Sequence, residues 1–103
     1  MNSERIKMLE QFAADDPKDP FNHYALALEL MKLDKEKAKK IFDTLITEHP
    51  TYVATYYQAA MLYIELSMNG EATKIIEQGI IEAKKQNNMK ASSELRSLLD
   101  EID

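Results

Sequence analysis

The chain has 103 residues, a formal net charge of −5 and no cysteine. That is one domain's length, able to bury about 65% of its unfolded surface without staples, and the missing thiols exclude disulfides, thiolate catalysis and cysteine-bound metal. A negative balance with both signs dispersed argues against a nucleic-acid or anionic-membrane surface, which would need a basic face.

The N-terminal MNSERIKMLEQF has no apolar run of signal-peptide type, and no segment approaches 18 apolar residues. The expected setting is a soluble, cytoplasmic protein with no membrane segment. Ala, Leu, Glu, Lys and Met dominate, only two glycines and three prolines punctuate them, and sustained alternation of apolar and polar residues is missing. These features predict an all-α chain.

The predicted helices follow in order. Ser3 with Glu4 behind it starts a first helix, over 1–16, which the run DDPKDP ends. Proline disfavours helical geometry in the residue before it, so Asp16 and Asp19 lie outside helices. A second helix fits 20–33, with Pro20 tolerated in its first turn. Asp34 caps a third that runs to Glu48, before His49 and Pro50. Thr51 or Tyr52 opens a fourth that ends near Ser67. Asn69 caps a fifth to about Gln86. Asn87 and Asn88 break the pattern, and a sixth covers about 89–101. Connections this short make neighbouring helices antiparallel.

Self-similarity appears within this series. Ala38 and Ala72 are 34 residues apart, and so are Phe42 and Ile76. Phe21, Tyr24, Ala25 and Leu28 match Tyr56, Ala59, Ala60 and Tyr63 at an offset of 35. Leu9, Phe12 and Pro17 repeat the spacing of Phe42, Leu45 and Pro50. The units read Phe21-x2-Tyr24-Ala25-x2-Leu28 … Ala38-x3-Phe42 … Pro50 and Tyr56-x2-Ala59-Ala60-x2-Tyr63 … Ala72-x3-Ile76. This resembles the tetratricopeptide repeat (TPR), a 34-residue helix–turn–helix unit with an aromatic, a large–small pair, a tyrosine, Ala-x3-Phe and a proline at these positions. The resemblance covers about residues 20–86. Ala59 replaces the large residue, no proline follows the fifth helix, and the usual turn glycine is missing from both units.

The resemblance implies antiparallel helix–turn–helix repeats stacked as a short right-handed superhelix of about six helices. One domain over 1–103 would hold a half-repeat helix (1–16), a first repeat (20–50), a second repeat (51–86) and a capping helix (88–102). In the last, Ala91, Leu95, Leu98 and Ile102 form one apolar stripe for docking, with a polar outer face as a terminal cap requires.

Residues 52–66 read YVATYYQAAMLYIEL, with two apolar stripes. Tyr56, Ala59, Ala60 and Tyr63 form one, widened by Leu62 and Leu66. Tyr57, Met61 and Ile64 form a second, rotated by roughly 100°. Only Ala54, Gln58 and Glu65 remain for the outside. The first helix of a repeat packs on its own partner helix and on the next unit, and in the family its remaining side lines a concave groove. Tyr56 and Tyr63 are therefore expected in the core, and Tyr57 and Met61 on the groove. The alternative is that the second stripe is covered by the sixth helix or by a second copy of the chain. Alanines 38, 59, 60 and 72, with Gly79, allow close helix approach. Gly79 is the most informative, because mid-helix glycine costs about 1 kcal/mol relative to alanine.

Chemistry finds little support. His23 and His49 are the only histidines. A metal site from them would need a third, carboxylate ligand and a proximity that the repeat frame does not give. DDPKDP lacks the glycine and terminal glutamate of an EF-hand loop. No nucleophile–base signature or phosphate loop is present. KLDKEKAKK, interrupted by Asp34 and Glu36, reads as a solvated helix face. No catalytic residue, metal or cofactor is expected.

The expected function is non-catalytic protein–protein interaction, a scaffold or binding module holding a peptide or helix in the groove. The alternative is a homodimer that buries the groove stripe. Aligning the units puts Asn22, Leu26 and Glu29 beside Tyr57, Met61 and Ile64 as the candidate groove set. Some relatives clamp a chaperone tail's C-terminal carboxylate with groove lysines and asparagines. Only Asn22 has that character here, so an apolar or aromatic anchor on the partner fits better.

Overall fold

The computed structural model describes residues 2–102, with side chains from Ser3 onward. Met1 and Asp103, the ends of the expected domain, lie outside the described residues. Among the described residues the fold is all-α, with six helices: α1 (Asn2–Asp15), α2 (Pro20–Leu30), α3 (Lys35–Glu48), α4 (Ala54–Glu65), α5 (Asn69–Lys85) and α6 (Met89–Ile102). They group into two compact units, Met1–His49 and Pro50–Asp103.

In the first unit α1 packs on α2, and α2 on α3. Pro17 and Pro20 hold the α1–α2 connection open, and the Asp19 carboxylate accepts from the Phe21 amide at 3.0 Å to cap α2. Helix α2 stops at Leu30, three residues before the predicted end. The amides of Leu33 and Asp34 both turn back to the Leu30 carbonyl, and Asp34 is committed to α3, where its Oδ1 accepts from the Lys37 amide at 3.1 Å. Phe42, Leu45, Ala27 and Ala38 are buried in this unit, as are Leu9 and Ala13 on α1.

In the second unit α4 packs on α5, α5 on α6, and α6 reaches α4 as well. Helix α4 begins at Ala54, later than Thr51 or Tyr52. Residues 51–53 form a tight entry in which the Thr55 and Tyr56 amides bond three residues back, to Tyr52 and Val53. The Tyr56 hydroxyl donates to the Pro50 carbonyl at 2.6 Å and accepts from Gln78 Nε2 at 3.2 Å. Burial, with Glu82 nearby, raises the Tyr56 pKa above its usual 10.0, and the Gln78 bond opposes that shift.

The turn after α4 has Ser67 where the usual turn glycine is missing, and the turn after α5 has Asn87. Ser67 and Asn87 take positive φ, 62° and 57°. At each, two amides close onto the helix end: Ser67 to Ile64 and Met68 to Tyr63, then Asn87 to Lys84 and Asn88 to Ala83. These paired bonds satisfy carbonyls that would otherwise be orphaned. Asn88 then caps α6 through Oδ1 to the Ala91 amide at 3.1 Å. Asn69, expected as the cap of α5, is instead its first residue; Met68 precedes it with no side-chain cap bond.

Gly79 has the packing reason its position demands. A Cβ there would lie 2.6 Å from Tyr56 Cβ, 2.8 Å from Tyr56 Cγ and 3.0 Å from Leu95 Cδ1. Two of these atoms are the base of a buried ring fixed to α4, so neither can swing away. Gly79→Ala should gain about 1 kcal/mol of helix propensity and lose more to overpacking, which costs about 1–3 kcal/mol or above. The expected result is a lower melting temperature, by about 4–8 °C per kcal/mol of net loss. An unchanged or raised melting temperature would show that α4 and α5 separate freely here.

Candidate protein-interaction face

Both stripes of α4 are present. Tyr56, Ala59, Ala60, Leu62 and Tyr63 are buried. Tyr57, Met61 and Ile64 are half-buried, whereas Ala54 and Glu65 are exposed and Gln58 is half-buried. The second stripe is neither fully open nor sealed. Helix α6 lies along it at one end: Leu95 and Leu98 are buried, and Leu98 and Ile102 share a cavity with Met61 and Ile64.

That cavity has a volume of about 280 Å³, with Glu65, Asn69 and Glu101 at its edges. It is just below the roughly 300–1,000 Å³ of drug-sized ligand sites and suits a large apolar side chain. No lysine or arginine lines it, and both charged edge residues are acidic. Tyr57 does not line this cavity. Leu98 and Ile102 were legible in the sequence as a docking stripe, but not as walls of a site, because their heptad-like spacing serves either role.

The other three candidate residues lie on α2, in the first unit. Leu26 is buried, at 7% exposure. Asn22 is half-buried and directs Nδ2 to the Phe12 carbonyl at 3.5 Å. Glu29 is half-buried and pairs with Arg5, Nε to Oε1, at 2.6 Å.

A further cavity in the first unit, about 330 Å³, lies among Pro17, His23, Lys40, Thr44, Glu48 and His49, with Ile41 and Leu45 as its apolar part. It overturns one expectation. The two histidines are close: their rings stack with centroids 6.5 Å apart and planes 26° from parallel. His23 stands in the first turn of α2 and His49 caps the end of α3, so the packing of α2 on α3, which the spacing of the repeat does not spell out, brings their rings together. His23 Nε2 lies 2.8 Å from the Pro17 carbonyl, so that nitrogen carries the proton. Among the described residues no group of three or more His, Asp or Glu side chains is arranged to hold a metal ion. No described helix is long and apolar enough to cross a membrane.

Solved structures give an independent comparison. The solution NMR structure of a tetratricopeptide repeat domain protein from Salinibacter ruber superposes with a TM-score of 0.81 at 37% identity, over 85% of this chain and 90% of that one. A crystal structure of a tetratricopeptide repeat domain protein from Salinibacter ruber gives 0.78 at 35% identity, over 82% and 96%. No protein-family model and no curated relative matches the chain. The spacing of Ala38, Phe42, Ala72 and Ile76, the burial of all four, and the fold shared at this level of identity lead to one assignment: the chain belongs to the tetratricopeptide-repeat family.

Proposed function

We propose that the protein is a non-catalytic interaction module that holds a peptide or short helix of another protein against the second stripe of α4. The observation that supports this reading most is the cavity at Met61 and Ile64, apolar within and acidic at its edge. An aliphatic or aromatic anchor would enter it, and a basic residue beside that anchor would meet Glu65 and Glu101. Tyr57 would extend the contact along α4. A partner's C-terminal carboxylate would find no cation in the cavity wall, which disfavours a carboxylate clamp.

The test pairs stability with binding in the variant Tyr57→Ser/Met61→Ser. Both residues are half-buried, so the double change should cost about 1–2 kcal/mol, well short of a core truncation at about 3–5. Binding to a partner captured by the wild-type chain should weaken about 30-fold or more, since truncating an anchor often costs about 2 kcal/mol. Melting curves and a calorimetric titration read the two effects. A stability loss equal to that of a core truncation, or binding that is undiminished, would reject this face.

A further inference from the structure

Helix α1 carries an exposed stripe that its counterpart α3 does not. In the register that aligns Leu9 and Phe12 with Phe42 and Leu45, Leu9 and Phe42 are both buried. Phe12 and Leu45 differ: Leu45 is 1% exposed and Phe12 48%, with Met8 beside it at 49%. Arg5, Met8, Phe12 and Asp15 recur at intervals of three, four and three. At about 100° per residue they share one face of α1, turned from the Leu9–Ala13 side that packs on α2, with Arg5 at the boundary where its guanidinium reaches Glu29 of α2. The register also aligns Arg5 with Ala38. A small residue there admits any close helix; an arginine admits one that offers an acid.

Glu29 of α2 is one such acid, and α1 of a second copy offers another. Arg5 and Asp15 are equidistant in sequence from Glu10, and so are Met8 and Phe12. We propose that this face pairs with the same face of a second copy, the two α1 helices running antiparallel about a two-fold axis beside Glu10. Each Arg5 then meets the partner copy's aspartate 15, and each Met8 packs on the partner copy's phenylalanine 12. This is the self-complementary pattern that an isologous contact requires.

The two charges are already held for it. Arg5 binds Glu29 through Nε, and a guanidinium keeps four further N–H donors. Asp15 accepts from Gln11 Nε2 through Oδ1 at 2.8 Å, and a carboxylate has a second oxygen. One pair of 14-residue helices buries less than the roughly 1,200 Å² of a stable complex. The association is therefore weak, with a dissociation constant on the order of 0.1–1 mM. It uses α1 and leaves the α4 stripe untouched, so it stands or falls separately from the binding function.

Charge exchange tests it with the full chain. Arg5→Asp places aspartate opposite the partner copy's aspartate, and Asp15→Arg places arginine opposite arginine. Both substitutions suit the helix dipole, acid near the N-terminus and base near the C-terminus, and the ion pair with Glu29 that Arg5→Asp gives up is partly exposed and contributes little to stability, so both variants should keep their helix content by circular dichroism. Sedimentation should show the wild-type mean mass rising as concentration approaches about 1 mM. Each single variant should stay monomeric across that range. An equimolar mixture of the two should associate as the wild type does, because every facing pair is again opposite in sign, and so should the double variant. A wild type that stays monomeric throughout overturns the proposal. So do single variants that associate like the wild type, which would locate the contact elsewhere, and a mixture that fails to associate.

Discussion

Tyr56→Ala is expected to lower stability by about 3–5 kcal/mol, the range for truncating a large buried aromatic. Tyr56 is fully buried, and three separate relations meet at it. Its ring base lies where Gly79 has no Cβ, its hydroxyl donates to the Pro50 carbonyl, and the same oxygen accepts from Gln78. The alanine variant loses apolar burial, leaves a cavity between α4 and α5, and frees the entry to α4 that the hydroxyl pins. Tyr56→Phe separates the contributions. It keeps the ring and removes the hydroxyl, and should cost about 1–3 kcal/mol because the carbonyl loses a partner in a partly buried place. Urea unfolding measures both. A Tyr56→Ala midpoint equal to that of the wild type would show that α4 is not organised around this residue.

How much of this was legible in the sequence depends on whether helical register governs the residue. The pairs Ala38–Ala72 and Phe42–Ile76 recur because every repeat must solve the same packing problem, and all four are buried. Gly79 was legible for a different reason: glycine inside a helix is costly, so its presence signals a close approach, and Tyr56 supplies it. Asp34 was readable as a cap because only its side chain can serve the first amides of α3.

The rest depended on turns and on the third dimension. Nothing local marks Ser67 as a left-handed residue, yet it fills the place of the missing turn glycine because Met68 and Tyr63 close the bond around it. His23 and His49 are 26 positions apart in sequence, and their stacking comes from the first turn of α2 meeting the end of α3. The α4 stripe was visible as apolar, but its degree of burial depends on how far α6 extends over it, which no period encodes. Phe12 is the same problem reversed. By spacing it matches Leu45 and looks like core, yet it is exposed because no described helix covers that side of α1.

Deleting the chain from Asn88 onward is expected to have the largest effect, unfolding the second unit at ordinary temperature. The cut removes Leu95 and Leu98, both buried, and each such side chain contributes about 1.5–3 kcal/mol by leaving water. It also removes the Asn88 amide that closes the end of α5 on the Ala83 carbonyl. Residues 50–87 would remain of this unit, fewer than the roughly 40 below which a chain without metal, disulfide or partner seldom holds a fold. Their exposed surface would now include the side of Gly79 that Leu95 covers, while the residues that face solvent on α6, such as Ser93, Glu94, Arg96 and Asp100, would be gone. A terminal helix with one apolar and one polar side is what keeps a repeat stack soluble. The truncated chain should therefore lose helical signal beyond the 14 residues of α6, bind a hydrophobic dye and aggregate on concentration. Circular dichroism per residue and light scattering read these outcomes. A truncated chain that stays monomeric, with the helix content of α1–α5 and the urea midpoint of the full chain, would show that the core of the second unit closes on α4 and α5 alone.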